Sequence, residues 1–163
     1  MATVLHNLSH IHRDGEPITA KEMHFGIVVS KWNSEITDKL LSGALSTLNE
    51  HGALEKNIVV KWVPGSFELP LGAQLLANNH KVDAVICLGC VIQGETRHFE
   101  FICSAVSSGI MQLNLEYSMP FIFGLLTPND MQQALDRAGG KHGNKGDEAA
   151  ITAIKMVEMQ RMI

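Results

Sequence analysis

Apolar residues along the chain form short continuous runs that alternate with stretches of helical spacing. Four of these runs predict strands, at residues 25–29, 58–63, 84–92 and 121–126. A continuous apolar run of this length is typical of a strand that is covered on both faces. The pattern therefore predicts a sheet with helices on both sides.

Helical spacing follows each run, and the expected helix boundaries carry capping signals. Asn33 or Ser34 can cap the first helix, which ends at His51-Gly52. Further helices are expected at residues 68–79, 99–117 and about 127–137, and a closing helix carries Ala150, Ile154 and Val157. The glycine-rich segment 139–146 is expected to be a loop.

Strands that alternate with helices predict crossover connections and a parallel sheet. The expected fold class is α/β, a three-layer α/β/α sandwich around a four-stranded parallel sheet. Its 163 residues suit a single domain, placed at 23–163, with an N-terminal arm at 1–22 that lacks sustained periodicity. Three histidines of the arm suggest a metal site, but no Cys or carboxylate cluster accompanies them, so a simple arm is the favoured interpretation. They are His6, His10 and His12.

Composition excludes several classes of function. The net charge is -4, and no Lys/Arg stripe with interleaved aromatic residues is present, so we expect no nucleic-acid partner. No apolar run approaches the roughly 20 residues of a membrane helix. Three cysteines cannot form a closed disulfide set, and the first 21 residues hold no apolar segment of a secretory signal. We therefore expect a cytoplasmic protein with free thiols.

The stretch from residue 88 to residue 99 concentrates the candidate chemistry. A buried strand passes through Gly94, Glu95 and Thr96 into a helix, whose first N–H groups carry the positive end of the helix dipole and suit a phosphate. His98 lies in the first helical turn, where the dipole disfavours the imidazolium and leaves the ring available for proton transfer. Because the carboxyl ends of parallel strands share one edge, loops 30–34, 64–68, 93–98 and 127–130 should meet there.

Several of these residues also have purely structural interpretations. Glu68 is either a partner of a helix dipole or a functional carboxylate. The positive charge of Arg137 can simply stabilise the C-terminal end of its helix through the helix dipole. Trp32 either covers the core or stacks on a flat ring. Cys87 and Cys90 lie three apart in a strand and should point to opposite faces, which argues against a metal or redox role. No dinucleotide or Walker motif is present, so no such cofactor is expected.

Five motifs, in order, resemble the 6,7-dimethyl-8-ribityllumazine synthase family of riboflavin biosynthesis. They are WN at 32–33, VPGSFELP at 63–70, GCVIQGETRHF at 89–99, FGLLT at 123–127 and RAGGKHGNKG at 137–146. The resemblance covers the chain from about Phe25 onward. It implies a flavodoxin-like fold and a transferase that condenses 5-amino-6-(D-ribitylamino)uracil with 3,4-dihydroxy-2-butanone 4-phosphate, giving 6,7-dimethyl-8-ribityllumazine, phosphate and water.

The resemblance also implies roles for individual residues, with no metal and no cofactor. His98 would be catalytic. The phosphate would be held by Gly94, Glu95, Thr96 and Arg137. The remaining substrate contacts would come from Trp32, Asn33, Ser66, Phe67, Glu68, Cys90, Val91, Ile92, Phe123 and Lys145. Two positions depart from the frequent family pattern, since Gln93 replaces an Arg and Trp32 replaces a Phe.

The same resemblance implies a homo-oligomer with active sites shared between neighbouring subunits, Phe123 and Arg137 being supplied by the neighbour. Pentamers and shells of sixty subunits both occur in the family. Segment 139–146 lacks the insertion associated with isolated pentamers, so we expect the shell, with riboflavin synthase as a possible partner. Two alternatives stay open: another phosphate-handling enzyme on this scaffold, and a non-catalytic shell or ligand-storage protein.

Overall fold

A computed structural model describes residues 19–163 of the chain. Four parallel strands form the central sheet in the order β2-β1-β3-β4. Their bounds are β1 Phe25–Ser30, β2 Ile58–Val63, β3 Ala84–Cys90 and β4 Phe121–Leu126. The helices are α1 Ser34–Glu50, α2 Leu69–Asn79, α3 His98–Tyr117, α4 Met131–Asp136 and α5 Lys145–Met162. The predicted three-layer α/β/α fold with a parallel sheet is confirmed.

The central strands β1 and β3 are buried along their whole length, which explains why their sequences are continuously apolar. Alternate residues of each strand enter two separate cores. Ile27 and Ile86 pack with α1 and α5 on one face, whereas Val28 and Val85 pack with α2 and α3 on the other. Cys87 and Cys90 fall on opposite faces as expected, so one metal ion or one disulfide cannot use both.

Most helix boundaries follow the sequence signals. Helix α1 ends at Glu50 with His51 as its C-cap, and Gly52 takes a left-handed conformation with φ 84°. Asn33 precedes α1, but its side chain makes no capping hydrogen bond, so its predicted role as a side-chain cap is wrong. A short 3-10 turn, Ser66–Glu68, comes before α2, which therefore begins at Leu69 and not at Glu68.

Two boundaries differ more clearly from prediction. Strand β3 ends at Cys90, two residues earlier than expected, although the Val91 N–H still donates to the Leu126 carbonyl at 2.9 Å. Helix α4 begins at Met131 and not near residue 127, since the Asp130 carboxylate caps it by accepting from the Gln133 N–H at 2.8 Å.

The glycine-rich segment after α4 is also more ordered than a loop. It forms an antiparallel hairpin of β5 Ala138–Gly140 and β6 Gly143–Asn144, and Lys145 is already the first residue of α5. Gly139 and Gly143 have φ of 99° and 78°, which only glycine adopts readily. The glycines that predicted a loop are therefore the residues that this tight hairpin requires.

The arm predicted at 1–22 lies mostly outside the described residues, as do His6, His10 and His12. Its described end turns back on the domain, where the Ala20 N–H donates to the His51 carbonyl at 2.7 Å. The domain boundary at 22–23 stays a prediction. Within residues 19–163, none of the helices is both long enough and apolar enough to cross a membrane.

Candidate active site

The first part of the site is the turn between β1 and α1. Backbone hydrogen bonds from Lys31 to Val63 and from Trp32 to Pro64, at 2.9 and 3.1 Å, extend the pairing of β1 and β2 beyond the strands. They fix Trp32 at the carboxyl edge of the sheet, where its side chain is 72 % exposed. A large indole that is held in place but left uncovered is available to stack on a flat ring.

Asn33 connects this turn to the end of β3. Its backbone is left-handed, with φ 59° and ψ 46°, and its Nδ2 donates to the Cys90 carbonyl at 2.9 Å. Asn is among the few residues other than glycine that adopt this conformation at modest cost. The Asn33 side chain, which was predicted to cap α1, therefore connects the turn after β1 to the end of β3.

The turn after β2 supplies the opposite wall. The Glu68 carboxylate accepts from the Gly65 N–H at 2.9 Å, which holds the turn closed. Ser66 sits above Gly89 of β3, where an added Cβ would come within 2.7 Å of its hydroxyl oxygen. Among the described residues, this oxygen is the buried side-chain polar atom without a hydrogen-bond partner. Such an atom is costly to leave unpaired, so a ligand hydroxyl that reached it would be favoured.

The chain beyond β3 offers few free backbone groups. The Val91 N–H donates to Leu126 and the Gln93 N–H donates to Pro128, at 2.9 and 3.0 Å. The N–H of Ile92 lies between them and donates to no described residue. Ile92, one of the predicted substrate contacts, therefore has an uncommitted N–H.

These segments enclose a cavity of about 420 Å³ at the carboxyl edge of the sheet, which we call the His98 cavity. Its lining consists of Trp32, Asn33, Gly65, Ser66, Phe67, Glu68, Cys90, Val91, Ile92, His98 and Ile102. The volume is in the range of small-molecule sites. Nine of the predicted site residues, spread over the chain from residue 32 to residue 98, are thus brought to one place.

The predicted anion loop, residues 94–96, lies exposed beside this cavity, before the first turn of α3. Within residues 19–163, the N–H groups of Gly94, Glu95 and Thr96 donate to no backbone or side-chain acceptor. Thr96 Oγ1 accepts weakly from the His98 N–H at 3.4 Å and keeps its own proton free. A Cβ added at Gly94 would meet nothing within 4 Å, so the space above this backbone is open to a ligand.

A second cavity, of about 320 Å³, lies beside β4, and we call it the Arg137 cavity. It is lined by Phe123, Leu125, Leu126, Thr127, Pro128, Gln133, Arg137 and Lys145. None of these residues also lines the His98 cavity. Within one described chain, Phe123, Arg137 and Lys145 are therefore grouped together and kept apart from His98.

Arg137 and Lys145 share one buried carboxylate, that of Glu148. Arg137 Nη2 lies 3.1 Å from Glu148 Oε1, and Lys145 Nζ lies 3.0 Å from Glu148 Oε2. The Glu148 side chain is 1 % exposed, so both cations are held by a charge that water does not screen. Whether these two cations balance the charge of a bound phosphate in place of an Arg at position 93 stays a prediction.

The thiol in the His98 cavity has no nucleophilic character. Burial, with a smaller electrostatic contribution from Cys103, raises the pKa of Cys90 to about 12. The thiolate is the reactive form, and it is scarce at neutral pH at such a pKa. Of the groups lining this cavity, the imidazole of His98 is therefore the better candidate to move a proton near pH 7.

Glu148 and Ile102 are site residues that sequence reasoning missed. Ile102 packs against the buried core beside α2 and α3 while also lining the His98 cavity. Glu148 follows Lys145 by three residues, a spacing that indicates an ion pair on a helix. That spacing was the available signal, although burial of the pair depends on tertiary packing.

Comparison with known proteins identifies the family. The family model for 6,7-dimethyl-8-ribityllumazine synthase matches residues 22–161. A relative of that name from Parabacteroides distasonis is 60 % identical over 157 residues, covering 96 % of this chain and 98 % of the relative. A second, from Phocaeicola vulgatus, is 55 % identical over 163 residues, covering 100 % of this chain and 96 % of the relative. The chain therefore belongs to the 6,7-dimethyl-8-ribityllumazine synthase family.

Proposed function

We propose that the His98 cavity of one subunit and the Arg137 cavity of its neighbour together form the active site of a riboflavin-pathway transferase. The chain condenses 5-amino-6-(D-ribitylamino)uracil with 3,4-dihydroxy-2-butanone 4-phosphate and releases 6,7-dimethyl-8-ribityllumazine, phosphate and water. The observation that carries this assignment, beside family membership, is the convergence of nine predicted site residues on the His98 cavity.

The aminopyrimidine occupies the His98 cavity. Its ring stacks on the exposed indole of Trp32, while the uncommitted N–H of Ile92 and the unpaired hydroxyl of Ser66 supply polar contacts. Phe67 and Glu68 complete the wall that faces the ribityl chain. Burial of an otherwise unpaired hydroxyl favours a ligand rich in hydroxyl groups over an apolar one.

The phosphate of the second substrate lies over the exposed anion loop. The free N–H groups of residues 94–96 and the hydroxyl of Thr96 donate to it, and the neighbour's Arg137 adds a positive charge. Phe123 of the neighbour closes the apolar side, and the neighbour's Lys145 lies beside Arg137. Because Gln93 carries no charge, Arg137 supplies the larger part of the electrostatic attraction.

Catalysis then consists mainly of holding two intrinsically reactive molecules together. Orientation of an amine against a ketone contributes several kcal/mol of barrier reduction, on the order of 7 or more in favourable cases. His98 accepts and returns protons as the imine forms, phosphate leaves and the ring closes, a contribution of about a hundredfold to ten-thousandfold.

A shared site requires an oligomer. Since the Arg137 cavity and the His98 cavity of one chain share no lining residue, a ring in which each subunit presents one cavity to the next would complete every site. We assign the pentamer as this ring, with a shell of sixty subunits as the larger assembly and riboflavin synthase as its partner. Sedimentation separates the two sizes, and co-sedimentation with riboflavin synthase tests the partner.

The function is tested by incubating the purified protein with both substrates and following lumazine fluorescence. Formation above the spontaneous rate is the expected result. Product at the background rate, with binding of the aminopyrimidine retained, would favour the storage protein. Binding of phosphorylated ligands without the aminopyrimidine would favour a different phosphate-handling enzyme.

The shared site is tested by mixing two impaired variants, His98→Ala and Arg137→Ala, and refolding them together. In a mixed ring about one interface in four pairs an intact His98 cavity with an intact Arg137 cavity, so activity should recover to roughly a quarter. Recovery no greater than the sum of the separate variants would place both residues in one subunit's site.

A further inference from the structure

Helix α5 touches helix α1 unusually closely at its first turn, because each helix has a glycine at the contact. A Cβ at Gly146 would overlap the carbonyl of Leu40, and a Cβ at Gly43 would overlap the side chains of Asn144 and Asp147. Neither glycine has a positive φ, so space and not backbone conformation is what each position requires. The contact therefore sets where α5 begins.

Asn144 fastens this contact with both ends of its amide. Its Oδ1 accepts from the Gly146 N–H at 2.8 Å and caps α5, while its Nδ2 donates to the Lys39 carbonyl of α1 at 2.9 Å. The absent Cβ at Gly43 is what leaves room for the amide on α1. One side chain thus fixes both the start of α5 and its position against α1.

The residues placed by this contact are the charged residues of the Arg137 cavity. Lys145 follows Asn144 directly, and its N–H donates to the Arg137 carbonyl at 2.9 Å. Glu148 lies one turn further along α5 and holds both cations by their side chains. A shift of the first turn of α5 would therefore move the carboxylate that orients the Arg137 guanidinium.

We propose that Asn144, seated against Gly43, is a positioning residue for the phosphate-bearing substrate. It acts through Glu148 and Arg137 and touches no substrate itself. This inference rests on the proposed function for the identity of the substrate, but binding of inorganic phosphate tests it independently of turnover.

Two variants separate the proposed role from simple stabilisation. Asn144→Ser keeps a good capping residue but is too short to reach α1. Gly43→Ala keeps every hydrogen-bonding atom and pushes the Asn144 amide off α1, and it serves if the first variant fails to fold. The matched control is Asn114→Ser, since Asn114 also clamps backbone, donating to Phe121 at 2.8 Å far from both site cavities.

Isothermal titration with inorganic phosphate and the KM of each substrate give the readouts. Asn144→Ser and Gly43→Ala should each weaken phosphate binding and raise the KM of the butanone phosphate by about tenfold, because a small displacement of an orienting group has effects of this size. The KM of the aminopyrimidine should change less than about twofold. Asn114→Ser should lower the melting temperature and leave phosphate affinity unchanged.

Either of two results would overturn the inference: phosphate affinity within about twofold of wild type in both variants, or an equal loss in Asn114→Ser. Wild-type protein that binds no inorganic phosphate would overturn it as well. Wild-type protein that binds phosphate but forms no lumazine would instead refute the proposed function, and the phosphate titrations would still decide the role of Asn144.

Discussion

Arg137 Nη2 and Glu148 Oε1 lie 3.1 Å apart, and the Glu148 side chain is 1 % exposed. A single buried carboxylate therefore holds two cations, because its other oxygen pairs with Lys145 at 3.0 Å. The cluster keeps one positive charge in excess. An anion can therefore pair with the excess positive charge while Glu148 keeps an ion pair. An unpaired carboxylate would be costly in a buried position.

Glu148→Gln should lower the free energy of unfolding by about 2 kcal/mol, since it leaves two neighbouring cations without their counter-charge while keeping the shape of the side chain. Urea denaturation measures the loss. The control is Glu100→Gln, whose pair with Arg97 is exposed and should contribute less than about 1 kcal/mol. Equal losses in the two variants would show that burial of Glu148 is not the source of the effect.

His98→Ala should slow lumazine formation without abolishing it, by about a hundredfold to ten-thousandfold, because orientation of the two substrates survives the loss of proton transfer. The kcat measured under saturation checks this. His80→Ala is the matched control, as His80 is an exposed histidine at the end of α2. An unchanged kcat in His98→Ala would remove the imidazole from the mechanism.

Asn33→Ala and Asn33→Gly should separate two contributions of one residue. The alanine variant loses the hydrogen bond to Cys90 and strains a left-handed backbone, at a cost of about 2 kcal/mol. The glycine variant loses only the hydrogen bond, at about 1 kcal/mol. Thermal and urea unfolding of the two variants measures both losses of unfolding free energy. A loss in Asn33→Ala no larger than that in Asn33→Gly would contradict the assigned backbone strain.

Asp147→Asn should stabilise the protein at pH 7. Burial, and then Glu50 and Glu148, raise the pKa of Asp147 above its ordinary value of 3.8. A carboxyl group with a raised folded-state pKa favours folding below its unfolded-state pKa and loses that contribution as pH rises through the folded-state pKa. At pH 7 the charged form is therefore unfavourable, by less than about 1 kcal/mol at this partly exposed site.

Melting temperatures measured from pH 3 to pH 7 check this prediction. The advantage of Asp147→Asn should shrink as the pH falls, because protonation then removes the unfavourable charge from the wild type. Asp38→Asn, at an exposed position of α1, is the matched control. An advantage that is constant with pH would point to packing and not to charge.

Strands β1, β3 and β4 could be predicted closely because a strand that is covered on both faces has a continuous apolar sequence. Strand β2 is less buried, and its run includes Lys61. Strands β2 and β4 have the predicted bounds, and β1 is one residue longer. Strand β3 was predicted too long because Val91 and Ile92 are apolar for a different reason, since they line the His98 cavity. From an apolar run alone, the residues of a strand cannot be told apart from apolar residues that follow the strand and line a cavity.

The site could be predicted in part. The loops after the carboxyl ends of the four strands were expected to meet, since a parallel sheet gathers them at one edge. Loops 30–34, 64–68 and 93–98 do line the His98 cavity, whereas loop 127–130 lines the Arg137 cavity. The Glu148 cluster and the Asn33 link to Cys90 could not be predicted from periodicity, because each joins segments through tertiary contacts that local spacing does not encode. The roles of the individual site residues stay predictions until substrates are bound.

The two cavities of one chain share no lining residue, so the proposed shared site ties turnover to self-association. On that proposal an isolated chain lacks part of each site, and activity per chain should fall on dilution below the assembly concentration. Synthesis of the product would then begin only once enough protein has accumulated to close rings, a threshold set by mass action and not by any added regulator.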